Sequence, residues 1–100
     1  MTKVKIVPVI KDKGYPTTHE KYPYCHKLAN MVEKKKFGKV YVQRHKKGTL
    51  LGSYDKDGKV ILVSEIVPKK KRNRIIIHEK AELECMKRLW KNYEKIMKRS

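Results

Sequence analysis

Hydrophobic residues in the first third of the chain follow two different spacings. Lys3–Ile10 is rich in valine and isoleucine and predicts a β-strand, in which Pro8 favours an edge position or a strand end. A loop with glycine and proline follows over residues 11–18. Apolar residues then recur at helical spacing, so we predict a helix that begins near Pro23 and ends near Lys36, before a glycine. Its core face is expected to contain Cys25, Leu28, Ala29 and Val32.

The middle of the chain predicts three further strands. Lys39–His45 is the first of them, and Thr49–Tyr54 and Lys59–Val67 form a hairpin around the turn Asp55–Gly58. Pro68 ends the last strand. With a second helix at the end of the chain, the order is β-α-β-β-β-α. We therefore predict an α+β fold with a small, mostly antiparallel sheet of about four strands and two helices packed on it.

The last helix is predicted over Arg74–Lys98, with Asn73 as its N-cap. Glu79 and Glu82 interrupt its apolar stripe near the middle, where unpaired buried carboxylates are costly. Either these carboxylates are paired or bind a cation, or the first turns extend beyond the core and the glutamates interact with the helix dipole. The stripe itself contains Ile75, Met86, Leu89, Trp90, Tyr93 and Met97.

Composition adds a strong positive charge to this picture. The 100 residues suit a single domain over residues 1–100, and 39% hydrophobic content excludes a disordered chain. The 27 lysines and arginines against 10 acidic residues give a formal net charge of +17. Such a charge favours a polyanionic partner, most simply nucleic acid. The alternative is a compositional origin, either the lysine bias of an AT-rich genome or a thermophile habitat.

Three basic clusters are the candidate contacts to phosphates. Lysine greatly outnumbers arginine in the chain, which favours diffuse phosphate contacts over base-specific recognition. The predicted partner is therefore nucleic acid, or a viral or nucleoprotein assembly, bound without sequence specificity. An adaptor that docks on an acidic protein is the competing interpretation. The clusters contain Lys34, Lys35 and Lys36; Arg44, Lys46 and Lys47; and Lys69, Lys70, Lys71, Arg72 and Arg74.

The remaining sequence features bear on location. Cys25 and Cys85 do not indicate a disulfide framework or a paired CxxC motif. No signal-peptide pattern precedes the first strand, and no apolar run approaches the roughly 18 residues that span a membrane. We predict no membrane association and a cytoplasmic location, in the cell itself or as a virion or host-cytoplasm protein.

Histidine and glutamate spacings predict a metal site. His78 and Glu82 are four residues apart, and His26 and Glu33 are seven apart, so each pair shares one helix face. Such a pair on a single helix is commonly a surface pair. If the two helices pack together, the four side chains converge on one divalent metal, zinc by preference, and Glu79 serves as a general base toward bound water. A rival, softer ligand set contains Cys25, His26, His78 and Cys85.

The stretch from Gly52 to Leu89 resembles the strand-and-helix half of small zincin-like domains. In these domains an edge strand and a proline precede an HExxH or HExxE helix. Residues Tyr22–Glu33 are similar to a second motif, Y-x-x-x-H-x-x-A-x-x-x-E, of small phage-borne HExxE proteins. The first part of the resemblance is carried by Gly52–Asp55, Lys59–Leu62, Pro68, Ile77–Glu79 and Glu82.

The resemblance covers about half the chain, in permuted order. It implies a metal site at His26, Glu33, His78 and Glu82, and hence a metal-dependent hydrolase such as a nuclease or a degenerate peptidase. Glu82 stands where an HExxH peptidase has its second histidine, which argues against peptidase activity. A nucleic-acid-binding module without catalysis is the first functional hypothesis, and the metal-dependent protein is the alternative.

Overall fold

The structure is a computed structural model that describes residues 2–12, 20–41, 46–55 and 58–98, with side chains as far as residue 89 in the last helix. Two helices pack with a small mixed sheet, which confirms the predicted α+β class. No helix in this part of the chain is long and apolar enough to cross a membrane. The described residues form β1 (Lys3–Val7), β2 (Ile10–Lys11), α1 (Tyr22–Phe37), β3 (Thr49–Leu50), β4 (Gly52–Tyr54), β5 (Val60–Ser64) and α2 (Lys69–Lys98).

Strand β5 lies at the centre of a three-stranded sheet. It pairs in parallel with β1, where Lys3 lies opposite Val60, and antiparallel with β4, where Tyr54 lies opposite Ile61. The predicted hairpin between β4 and β5 is confirmed, although β5 already ends at Ser64. Strands β2 and β3 form a separate antiparallel pair.

Besides the shortened β5, three of the predicted strands differ from the structure. Thr49–Tyr54 is interrupted at Leu51 and divides into β3 and β4, which belong to different sheets. The strand predicted over Lys3–Ile10 is broken at Pro8, because proline has no N–H to continue the ladder, and the following residues pair with β3 instead. The strand predicted over 39–45 does not form at residues 39–41, and residues 42–45 lie outside the described part of the chain. Tyr41 donates its backbone N–H to the carboxylate of Glu33, at 2.7 Å, rather than to a strand.

Helix α1 matches its prediction closely, and Leu28 and Ala29 lie at the core as expected. It contains Pro23 in its first turn and is capped by Gly38, whose φ of 86° lies in the left-handed region that favours glycine. Cys25 is buried as expected, whereas Val32 is 38% exposed and Glu33 is buried. The expectation for Val32 is therefore wrong, because α1 turns a polar face toward α2.

Helix α2 begins at Lys69, directly after Pro68, so the predicted N-cap at Asn73 is wrong. Lysine and arginine are good helix formers, and they extend the helix back to the proline. Glu79 and Glu82 consequently lie well inside the helix, and both are buried. Neither an exposed first turn nor the helix dipole accounts for them, which leaves pairing or cation binding.

The hydrophobic core lies between β5 and the helices. Of the predicted α2 stripe, Ile75 and Met86 are buried, and Leu89 packs against the core while partly exposed. The side chains of Trp90, Tyr93 and Met97 lie outside the described part of the structure. Core side chains from the sheet include Tyr54, Ile61 and Val63.

A disulfide joins Cys25 of α1 to Cys85 of α2, with their Cα atoms 5.5 Å apart. The helices run antiparallel, since Glu33, farther along α1, contacts Arg74 near the start of α2. The rival ligand set with two thiolates is wrong, because these sulfur atoms are bonded to each other. Disulfides are typical of oxidising compartments and also occur inside hyperthermophiles, so the cytoplasmic location stays a prediction.

We expect a reducing agent to lower the free energy of unfolding by about 2–4 kcal/mol, because the disulfide links residues 60 apart and restricts the unfolded chain. Urea unfolding followed by circular dichroism, with and without dithiothreitol, measures the change. The double variant Cys25→Ala/Cys85→Ala is the control and should not respond to the reductant. A wild-type protein equally stable under both conditions would contradict the bond.

Candidate metal centre

Helices α1 and α2 bury three carboxylates between them. Glu33, Glu79 and Glu82 are 1%, 8% and 2% exposed. His26 of α1 and His78 of α2 lie among these acids, with ring centroids 5.1 Å apart. The structure therefore brings together the four predicted ligands and the predicted general base.

The carboxylate of Glu82 lies at the centre of the cluster. Its Oε2 atom is 3.0 Å from Nδ1 of His26 and 3.3 Å from Nε2 of His78. Its Oε1 atom accepts a hydrogen bond of 3.0 Å from the hydroxyl of Tyr54. One carboxylate oxygen is thus shared by two imidazole rings, and the other is held by the sheet.

Glu33 lies behind His78 and fixes its orientation. The Oε1 atom of Glu33 is 3.1 Å from Nδ1 of His78, so a proton on Nδ1 leaves Nε2 available as a ligand. The Oε2 atom of Glu33 accepts hydrogen bonds from the backbone N–H of Tyr41 and, at 3.2 Å, from Nη2 of Arg74. Both oxygens of Glu33 are occupied, which favours an orienting role over the predicted role as a metal ligand.

His26, His78 and Glu82 form a group that could hold a metal ion. Each offers one ligand atom, and these atoms lie within 4.8 Å of one another. Metal–ligand bonds of about 2.0–2.1 Å in a tetrahedral site place ligand atoms about 3.3 Å apart. The observed 3.0 and 3.3 Å separations around Glu82 match that value and also suit hydrogen bonds in the metal-free protein. Two imidazoles and one carboxylate leave positions open for water, as in catalytic zinc sites.

The carboxylate of Glu79 has no hydrogen-bond partner among the described residues, although it is buried. Burial raises the pKa of Glu79 well above its ordinary value, and repulsion from Glu82 and Glu33 raises it further. Gly52 of β4 packs directly against this side chain. A Cβ atom at Gly52 would lie 2.8 Å from Cγ and 2.9 Å from Oε1 of Glu79, so only glycine leaves room for the carboxylate.

A cavity of about 420 Å³ opens at the site, and His26, His78 and Glu79 line it. Tyr22, which also lines it, has its hydroxyl 3.2 Å from Nδ1 of His26. Burial raises the pKa of this hydroxyl, and the nearby carboxylates of Glu82, Glu79 and Asp12 raise it further, so the phenol stays neutral. Asn30 adds a buried Oδ1 atom that has no hydrogen-bond partner in the described part of the chain. The cavity therefore offers two uncharged polar groups beside the histidines.

Hydrogen bonds decide how His26 and Glu82 titrate. Burial alone would raise the pKa of Glu82, but hydrogen bonds with His26, His78 and Tyr54 lower it below its ordinary value. The hydrogen bond with Glu82 raises the pKa of His26 against the opposing effect of burial. The two pKa shifts are opposite in direction, and each favours the charged form of its group, which supports an ion pair between His26 and Glu82 in the metal-free protein.

Two of the three predicted basic clusters lie at one end of the helix pair. Lys34–Lys36 occupy the last turn of α1, and Lys69–Lys71 occupy the first turn of α2. Because the helices are antiparallel and Arg74 bonds to both Glu33 and the carbonyl of Lys39, these turns lie side by side. Apart from the partly exposed Lys71, the lysines of both turns are exposed.

The other predicted basic residues differ in their exposure and in their hydrogen bonds. Arg72 donates to the carbonyls of Val67 and Glu65, at 3.0 and 3.4 Å, and helps to anchor the start of α2. Arg74 is 6% exposed, which removes it from the outer surface. Lys46 and Lys47 are exposed before β3, and Arg44 lies outside the described residues.

Several residues at the site were not predicted from the sequence. Tyr22 and Asn30 each lie four residues from His26, so the helical spacing already used for Glu33 could have indicated them. Tyr54 and Gly52 come from the sheet, and no local spacing relates them to Glu82 or Glu79. Only the packing of β4 on α2 brings them to the site.

Comparison of the chain with known protein families, curated proteins and solved structures finds no match. The resemblance to zincin-like domains therefore stays a prediction. The metal site is inferred from the geometry of its own residues.

In the metal-free protein we expect Glu79→Gln to raise the free energy of unfolding at pH 7.5 by about 1–3 kcal/mol, because it removes a charge that burial and repulsion from Glu82 and Glu33 make unfavourable. The folded pKa of Glu79 is raised above 4.5. The charge of Glu79 therefore does not lower the free energy of unfolding below pH 4.5. Above pH 4.5 it lowers this free energy increasingly, until the pH exceeds the folded pKa. Urea unfolding between pH 4 and 8, with EDTA present, measures this dependence.

In the same experiment, Glu82→Gln should lower the free energy of unfolding at pH 7.5. The pKa of Glu82 is lowered, so its charge stabilises the fold above pH 4.5 and loses this effect as the pH falls through the folded pKa. Glu84→Gln, an exposed change on the same helix, is the matched control and should stay within about 0.5 kcal/mol of wild type. If Glu79→Gln and Glu82→Gln changed the free energy of unfolding equally, the opposite pKa shifts assigned to these two residues would be wrong.

Proposed function

We propose that the chain is a metal-dependent hydrolase. The observation that carries this proposal is the convergence of His26, His78 and Glu82 within 4.8 Å, beside a buried carboxylate with no hydrogen-bond partner among the described residues. Structural metal sites are closed by four protein ligands, whereas three ligands leave a position for water. The cavity at the site gives a substrate access to that position.

The donor set supports zinc as the metal. Imidazole nitrogen and carboxylate oxygen are common zinc ligands, and sites with two histidines and a glutamate occur in zinc hydrolases. When bound, the metal supplies a water of lowered pKa and a positive charge that polarises the substrate. Glu33 would act from behind His78 by holding the proton on Nδ1.

Three groups of the chain have roles in hydrolysis. Glu79 accepts a proton from the attacking water, because its raised pKa suits a general base that later returns the proton to the leaving group. The neutral hydroxyl of Tyr22 donates a hydrogen bond to the oxygen on which negative charge develops. Asn30 orients the substrate through its free amide oxygen.

Binding to nucleic acid is the second candidate function, and the pairing of two lysine-rich turns supports it. Lys34–Lys36 and Lys69–Lys71 meet at one end of the helix pair and concentrate positive charge there. Phosphate contacts of this kind release counterions and need no base recognition. In a hydrolase, this surface would bind the substrate. If the chain had no hydrolytic activity, the surface would still bind nucleic acid.

The hydrolase proposal is tested with zinc-loaded protein on DNA, RNA and peptide substrates. We expect about one zinc per chain by mass spectrometry and hydrolysis of at least one substrate class. Glu79→Gln should lower kcat by about 10²–10⁴-fold without loss of zinc, because it removes the base and leaves the ligands intact. His78→Ala should lose both zinc and activity.

Glu84→Gln is the matched control for this test and should keep full zinc content and activity. A protein that binds no zinc, manganese or iron would overturn the metal site. A protein that binds metal but hydrolyses no substrate, or whose activity survives Glu79→Gln, would overturn the hydrolase mechanism.

For nucleic-acid binding, we expect Lys35→Gln/Lys70→Gln to reduce the slope of log Kd against log salt by about 2, since each phosphate contact contributes about 0.9. Fluorescence anisotropy with a labelled duplex over a range of salt concentrations measures the slope. Lys3→Gln/Lys5→Gln, with equal charge loss on exposed β1 positions, is the control. Equal slopes for the two variants would assign binding to the overall charge rather than to the helix ends.

A further inference from the structure

A second cavity, of about 400 Å³, lies beside the basic end of the helix pair. Its lining residues include three cationic ones, Lys39, Lys71 and Arg74, together with Val40 and Tyr41. No acidic residue is among these lining residues. A concave surface with three positive groups and no anionic group in its lining is suited to an anion.

Among the described residues, Arg74 has hydrogen-bonding capacity that is not used. The two hydrogen bonds that it makes there, to Glu33 and to the carbonyl of Lys39, both come from Nη2. The residue is 6% exposed, and its Nε atom is buried without a partner among the described residues. A guanidinium has five N–H donors, and leaving one buried and unpaired costs free energy that a ligand could recover.

The guanidinium of Arg74 is held in place from several sides. The Arg74 Cζ atom lies 5.0 Å from the ring centre of Phe37 and 5.8 Å from that of Tyr41. The ion pair with Glu33 fixes one of its nitrogens. A group fixed in this way loses little conformational entropy when a ligand binds.

The cavity adjoins the candidate metal centre. Val40 and Tyr41 line both cavities. Arg74 also connects the two sites, because Nη2 bonds to Glu33, which in turn bonds to Nδ1 of His78. The two cavities therefore share a wall, which includes Val40 and Tyr41.

We infer that the cavity of Lys39, Lys71 and Arg74 binds a phosphate group of the substrate, next to the bond that the metal centre hydrolyses. The charge of Arg74 is already paired with Glu33, so the two lysines supply the positive charge that matches the two negative charges of a phosphate, whereas a carboxylate would leave part of it unpaired. The link to a substrate rests on the proposed hydrolase function. The anion site itself does not depend on a metal.

The test is titration of inorganic phosphate into metal-free protein, in EDTA at constant ionic strength, followed by two-dimensional NMR. We expect saturable shifts of the Lys39, Tyr41 and Arg74 amides. The variant Lys39→Gln/Lys71→Gln should weaken binding by about tenfold or more, because it removes two charged hydrogen-bond donors. The control Lys3→Gln/Lys5→Gln, with the same charge loss outside the cavity, should change the Kd by less than twofold.

Equal weakening in both double variants, or no saturable binding at millimolar phosphate, would overturn the anion site. Binding that appears only after zinc loading and is insensitive to Lys39→Gln/Lys71→Gln would place phosphate on the metal and would also overturn it. Phosphate binding in a protein that holds no metal would support the anion site while the hydrolase proposal fails.

Discussion

Three carboxylates buried between α1 and α2 constrain the rest of this small domain. A buried carboxylate is costly unless cations or hydrogen-bond donors surround it. Glu33 is satisfied by Arg74, His78 and the backbone of Tyr41, and Glu82 by His26, His78 and Tyr54. Each set of partners comes from more than one element, so the acids are stable only when both helices and β4 are in place. Glu79 stays unpaired among the described residues, and this one unfavourable group lies where a substrate cavity opens.

This constraint explains how the helices are held. The disulfide between Cys25 and Cys85 fixes them on one side of the histidines, and the contact between Glu33 and Arg74 fixes them on the other. His26 and His78 lie between these two connections, so their nitrogen atoms have little freedom to separate. Sites built on rigid elements and supported by a second layer of contacts hold ligands at a defined distance.

The domain also separates its charges. Three acids, Glu33, Glu79 and Glu82, are buried at the helix interface, while lysines cover both adjoining helix ends. An exterior of this kind attracts anions over a distance, and the interior carboxylates suit a cation. If the proposed function is correct, a phosphate-bearing substrate would fit both halves of this arrangement.

Sequence patterns predicted most of the helical structure, one hairpin and the chemically useful residues. Helical spacing identified α1 and the pairing of His26 with Glu33 and of His78 with Glu82, because positions four and seven apart share a helix face. Turn residues at 55–58 indicated the hairpin of β4 and β5. Spacing could not show that Cys25 meets Cys85, that Gly52 makes room for Glu79, or that Glu33 orients His78 instead of joining the ligands. These are contacts between distant segments, and only the packing of the two helices on each other and on the sheet decides them.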